Sequence, residues 1–127
     1  MGGRGQNFSV VNKLKNFKNA KFPRNKLKNY ILNPSKEPNK AKFFNSLGYN
    51  MKNYNKLMDD IKYKISKNKA LKYEVDKYGN TAYQVNMELG ITKKAMVATG
   101  WIVKKGETIP QFVTAYHNEK YERRSRK

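Results

Sequence analysis

The side chains able to move protons near neutral pH are few and cluster toward the end of the chain. His117 is the single histidine, and histidine alone has an ordinary pKa close to neutrality. Just before it, Thr114 and Tyr116 alternate with Val113 and Ala115, so one face of a strand there would carry hydroxyls. Lysines surround this stretch: 28 Lys and Arg stand against 9 Asp and Glu, a formal charge of +19. Such a set suits metal-free cleavage of RNA. The 2′-hydroxyl is an internal nucleophile, so an enzyme need only take its proton, protonate the leaving oxygen and hold the extra charge on phosphorus. DNA lacks that hydroxyl and would be spared.

Other chemistries have less to work with. Metal-assisted hydrolysis needs several oxygen or imidazole ligands converging, whereas the acidic residues here are dispersed. The tightest pair, Asp59-Asp60, would point about 100° apart on a helix and reads as solvated partners of neighbouring lysines. Cysteine is absent, which removes disulfides and thiolate metal sites. Met1-Gly-Gly-Arg-Gly opens no strand or helix of the kind a phosphate loop requires. No metal and no cofactor is expected.

The chain's 127 residues are enough for one modest core. Self-repulsion at +19 opposes compaction unless a polyanion relieves it. Nucleic acid is the first candidate partner, ahead of an anionic membrane surface or an acidic protein inhibitor. No apolar run approaches the roughly 18 residues of a membrane span, and the N-terminus lacks the apolar stretch of a secretory signal. A soluble protein working in a cytoplasm is the expectation.

Positioning falls to an α+β fold. Residues 1–21 read as a flexible basic arm. Pro23 suits a helix start, and Leu27, Tyr30 and Ile31 form a short stripe ended by Asn33-Pro34. A second helix from about Lys40 to Leu47 turns Ala41 and Phe44 inward, with Gly48 as its cap. A third, from about Asn53 to Ser66, repeats Leu57, Ile61 and Ile65 at helical spacing. Four short runs follow, 71–75, 81–89, 92–105 and 109–117, separated by glycine turns, which predicts a four-stranded antiparallel sheet with the helices on one face. Thr81–Leu89 alternates, with Tyr83, Val85, Met87 and Leu89 facing the core. Pro110 marks the start or edge of the last strand, and residues 118–127 form a basic tail.

The stretch NYILNPSKEPNKAKFFNSLGYN, followed by YGNTAYQVNMEL and VATGWIVKKGETIPQFVTAYH, resembles a family of small domains at the C-termini of bacterial polymorphic toxins and phage head-morphogenesis-type proteins. The likeness covers about residues 22–117. It implies a barnase/EndoU/colicin/RelE-like ribonuclease fold and a toxin-type endoribonuclease that makes a 2′,3′-cyclic phosphate. Carried over position by position, it marks Lys40 and Lys42 in Lys-Ala-Lys-Phe-Phe, Tyr83 after the Tyr-Gly turn, Lys94 ahead of the Trp101 strand, and Thr114 and Tyr116 in Thr-Ala-Tyr. His117 stands where the pattern has proline, so its use is not inherited.

Lys42, Thr114, Tyr116 and His117 are thus the candidate catalytic residues, and Lys40, Tyr83, Lys94, Arg123 and Arg124 the candidate RNA contacts. The expected partner is RNA (tRNA, mRNA or guide RNA), with an acidic immunity or antitoxin protein as a second. The other reading is a phage RNA-binding protein without turnover, such as an inhibitor of an RNA-guided defence system, which a short chain starting at Met1 would suit. A basic structural or DNA-packaging protein is a third.

Overall fold

A computed structural model describes residues 8–121, with the side chains of 8–12, Arg24 and Glu74 left undescribed. Five strands, β1 (Phe8–Lys13), β2 (Lys69–Val75), β3 (Thr81–Leu89), β4 (Ala95–Val103) and β5 (Gln111–His117), form one antiparallel sheet in the order β1-β2-β3-β4-β5. Two helices, α1 (Pro38–Ser46) and α2 (Tyr54–Ile65), lie between β1 and β2 in the chain. The class is α+β. Four of the strands fall where the glycine-punctuated runs place them. The fifth, β1, comes from the stretch read as an arm, so the order is not simply helices followed by strands. Phe8 pairs with Tyr73 and Val11 with Ala70, a long-range pairing that overrides a weak local signal.

The expected first helix is instead two irregular turns, a 3₁₀ turn at Pro23–Asn25 and a π turn at Leu27–Ile31. Asn25 takes a positive φ of 50°, which breaks a right-handed run. The wider π turn, closed by Leu32 N donating to Leu27 O, gathers Leu27, Ile31 and Leu32 into the core and leaves Tyr30 exposed. Helix α1 starts on Pro38 at its first position, where a missing N–H costs nothing. Its end is a Schellman turn. Gly48, at φ +104°, takes the left-handed position, and Tyr49 N donates to Phe44 O at 3.0 Å while the two rings meet edge-on.

One core lies between the helices and one sheet face. Leu57, Ile61 and Ile65 of α2 join Phe44 and Leu47 against Ala70, Val85, Met87, Leu89, Val97, Trp101, Phe112 and Ala115. Trp101 meets Phe22 and Phe112 edge-on, each with ring centroids 5.5 Å apart. Its Nε1 donates to Thr99 Oγ1 at 2.8 Å, and that hydroxyl donates to Val85 O at 2.8 Å. Buried Thr99 thereby satisfies the core's largest ring.

Strand β5 carries a bulge. Gly100 pairs with Thr114 but Trp101 pairs with Phe112, so Val113 is the extra residue and lies exposed. The side-chain alternation shifts by one there. Phe112 and Ala115, three apart, both enter the core, while Thr114 and Tyr116 point to the other side. Pro110 immediately precedes β5, and Lys21 covers the strand's outer edge with bonds to Pro110 O and from Phe112 N. No described helix is long and apolar enough to cross a membrane.

Candidate nucleic-acid interface

The sheet face turned away from the core carries a polar surface built from two cross-strand rows. Gln84, Gly100 and Thr114 face each other across β3, β4 and β5; one step along, Asn86, Ala98 and Tyr116 do the same. Neighbouring strands lie about 4.8 Å apart, so the flanking side chains of each row rise roughly 10 Å from one another. The middle of each row is small, but Ala98 is fully buried while Gly100 is half-buried, so the shallow trough lies at Gly100. A Cβ at Gly100 would stand 3.2 Å from Thr114 Cγ2, so any side chain there both fills the floor and presses on the threonine.

A cation enters from the β5 edge. Lys40 of α1 donates from Nζ to Thr114 Oγ1 at 2.9 Å. Lys42 sits about 200° around the helix from Lys40 and is exposed, so it does not share this face. The lysine that meets the threonine is the other member of the Lys-Ala-Lys motif. Lys40 lies only about 40° from Phe44 around the helix, and burying Phe44 carries Lys40 toward β5.

A chain of side-chain hydrogen bonds crosses β4 in the row of Ala98, and its polarity is fixed at one end. Tyr121 N, a backbone donor, bonds Asn118 Oδ1. Asn118 must therefore offer Nδ2, which donates to Asn86 Oδ1 at 2.8 Å. Gln84 Nε2 donates to the same oxygen at 3.0 Å, leaving Gln84 Oε1 to accept from the Tyr73 hydroxyl at 3.0 Å. Each amide orientation follows from the one before. Tyr73 is held as a neutral donor. Burial, and then the neighbouring Tyr116, push its pKa above the ordinary phenol value. Tyr116 itself is exposed.

The remaining candidates lie elsewhere. His117, next to Tyr116, falls on the opposite side of β5, where its ring stacks on Phe43 at 4.4 Å and 14°; Nδ1 is 3.9 Å from a Glu119 oxygen. Tyr83 packs half-buried against the core, in a row with Lys72 and Trp101. Lys94 lines a separate cleft with Tyr49, Lys56, Asp60 and Lys64. Arg123 and Arg124 lie outside the described residues. Thr114 and Tyr116 thus share a face with Lys40, and Lys42, Lys94, Tyr83 and His117 are not on it. Among the described residues no three His, Asp or Glu side chains converge as a metal site would need.

Tyr49 was not among the expected functional residues, although a hydrophobic residue right after a helix-ending glycine is the signal for burial there. It is fully buried; its hydroxyl donates to Asp60 Oδ2 at 2.6 Å and accepts from Gly90 N at 3.1 Å. Asp60 is also bonded to Lys56 at 2.9 Å. Burial first, and then the Asp60 carboxylate, raise the phenol's pKa well above 10.0. A raised folded-state pKa contributes stability that is complete below the unfolded value and fades as pH climbs through the folded one. Wild type should therefore lose thermal stability above about pH 10 more steeply than Tyr49→Phe. At pH 7 the variant is expected to be less stable by about 1–3 kcal/mol, because Gly90 N loses its acceptor. Melting curves from pH 7 to 11 check both.

A family model described as Domain of unknown function (DUF6883) matches residues 13–119, from the last residue of β1 to just past β5. No curated protein and no solved structure matches the chain.

Proposed function

We propose, for a chain that belongs to the Domain of unknown function (DUF6883) family, the activity of a toxin-type, metal-independent endoribonuclease working on the open sheet face. The observation that carries this reading is the Lys40 Nζ to Thr114 Oγ1 bond beside exposed Tyr116 and half-buried Gly100, in a chain of charge +19. The net charge draws a polyanion without regard to sequence. Lys40 and Thr114 offer a cation and a hydroxyl to the same phosphoryl group.

The chemistry assigned to this face is transesterification. The 2′-oxygen bonds to phosphorus as the bond from phosphorus to the 5′-oxygen breaks, leaving a 2′,3′-cyclic phosphate. Lys40 and Thr114 hold the charge that builds on the non-bridging oxygens. Tyr116 hands its proton to the 5′-oxygen, and the proton of the 2′-hydroxyl leaves through water and restores the phenol. Tyr73 keeps its proton on Gln84 and orients rather than transfers. A helix-backed antiparallel sheet with one polar face also suits the barnase- or RelE-like assignment. An acidic immunity or antitoxin protein would complement the same face, and the bacterial cytoplasm is where its RNA would be met.

One observation favours a second reading, an RNA-binding protein without turnover, for instance an inhibitor of an RNA-guided defence system. The single imidazole, His117, stacks on Phe43 on the far side of β5, so no group of ordinary neutral pKa stands on the polar face. Incubating the protein with total RNA in EDTA separates the two. Discrete fragments ending in cyclic phosphate, lost in Tyr116→Phe, are expected of the enzyme. Intact RNA with a tight mobility shift would establish the binder, and neither cleavage nor a shift would sink both.

A further inference from the structure

The backbone does not demand a glycine at position 100. Gly48, Gly79, Gly90 and Gly106 take positive φ, and Gly100 does not, so an L side chain is compatible with its conformation. It lies inside β4, paired with Gln84 on one side and Thr114 on the other, where the lack of a side chain weakens a strand. The neighbouring bulge gives no reason for it. The extra residue there is Val113 of β5, and a bulge that depends on glycine places it on the bulged strand in the left-handed region. Nor does the protein fill the space. A Cβ at Gly100 would crowd the Thr114 methyl at 3.2 Å, the next atoms are 3.9 Å away, and the residue is only half-buried. A strand glycine kept without a backbone or packing reason marks the close approach of something else.

Resting on the reading that the polar face holds RNA, we infer that a phosphodiester seats directly on the bare backbone of Gly100, between Gln84 and Thr114. The groups beside it suit an anion. Lys40 Nζ gives one N–H to Thr114 Oγ1 and keeps two, and the threonine hydroxyl, which accepts that bond, keeps its own hydrogen to donate. The rows of Gly100 and Ala98 contribute Gln84, Thr114, Asn86 and Tyr116 and no carboxylate. A methyl at position 100 would hold the phosphate about 1 Å or more off the strand and away from Lys40 and Thr114, a displacement that costs about 10²-fold in rate. The contact is to the RNA backbone and carries no base sequence.

In the full chain, Gly100→Ala should cleave a defined RNA about 10²-fold more slowly in single turnover while melting close to wild type. A Cβ that acted only by pushing Thr114 aside would be harmless once the crowded methyl is gone. The deciding comparison is therefore Gly100→Ala/Thr114→Ser against Thr114→Ser alone, since serine keeps the hydroxyl and lacks Cγ2. The double variant should remain about 10²-fold below the single, and it carries the comparison if Gly100→Ala by itself does not fold. Equal cleavage by these two, or wild-type cleavage by Gly100→Ala, would overturn the inference; if Lys40→Met is impaired all the same, the RNA-holding face stands and the phosphate seat alone falls. If the protein binds RNA without cutting it, anisotropy with an uncleavable 2′-fluoro 8-mer of uridine reads the same comparison. The expected loss is then about tenfold, the size of one charge-assisted hydrogen bond. If wild type neither cleaves nor binds, both readings fall.

Discussion

Replacing Lys40 by methionine is expected to reduce RNA cleavage by about 10²–10³-fold, the loss typical of removing one charge-stabilising group from a reacting centre. The variant should stay folded. Methionine keeps most of the unbranched stem, and the lost bond joins a half-exposed lysine to a half-exposed threonine, so stability should change by no more than about 1 kcal/mol. Thr114→Val should act in the same direction and more weakly, since valine retains the shape beside Gly100 but offers no hydroxyl. Lys42→Met is the informative control. It removes the same charge from the same helix, on the side turned away from Thr114, so it should cost only the small, salt-dependent share that any surface lysine gives to polyanion binding. Single-turnover cleavage of one defined RNA at low and moderate salt reads all three. Loss of activity in Lys42→Met with Lys40→Met unaffected would place the reacting phosphate elsewhere.

The second large effect concerns the core. Trp101→Ala should destabilise the fold by about 3–5 kcal/mol, a large share of the 5–15 kcal/mol that a domain of this kind has in total. The indole is 1% exposed and holds Phe22 and Phe112 at its edges, so its removal leaves a cavity that two rings border. Thr99→Val should cost about 1–3 kcal/mol by stranding the indole N–H in an apolar interior. These two effects are expected to be coupled. In a Trp101→Phe background there is no N–H to strand, and Thr99→Val should then cost clearly less than in wild type. A double-mutant cycle of urea midpoints at constant slope measures that difference; additivity within about 0.5 kcal/mol would mean that the hydroxyl serves Val85 O alone.

Much of this architecture could be read from residue patterns, and the places where it could not are physically specific. Strands β2 to β5 announce themselves by β-branched and aromatic runs between glycines, and α2 by Leu57, Ile61 and Ile65 four apart. Strand β1 escapes because Phe8–Lys13 has little local pattern and gains its conformation from a partner far along the chain. The two turns at residues 23–31 replace a helix because of the backbone at Asn25, which no periodicity reveals. Thr114 and Tyr116 were legible as a hydroxyl-bearing pair, and Gln84 and Asn86 as the outward set of β3, but the trough between them depends on strand register. The choice between Lys40 and Lys42 turned on helix phase. Pro38 sets where α1 begins, and Phe44 sets which side goes inward. His117 had the right chemistry at the wrong parity: adjacent residues of a strand point to opposite sides, so Tyr116 and His117 cannot both face the trough.

The bulge at Val113 separates two sets of demands within seven residues. Volume and shape govern what positions 112 and 115 will tolerate, while charge and proton exchange govern 114 and 116. Surface chemistry on this strand can therefore be rewritten, residue for residue, without disturbing the interior. Straightening the bulge with Val113 kept in the ladder would undo that separation: regular alternation from Phe112 would draw Thr114 inward and turn Ala115 out into the path of the ligand.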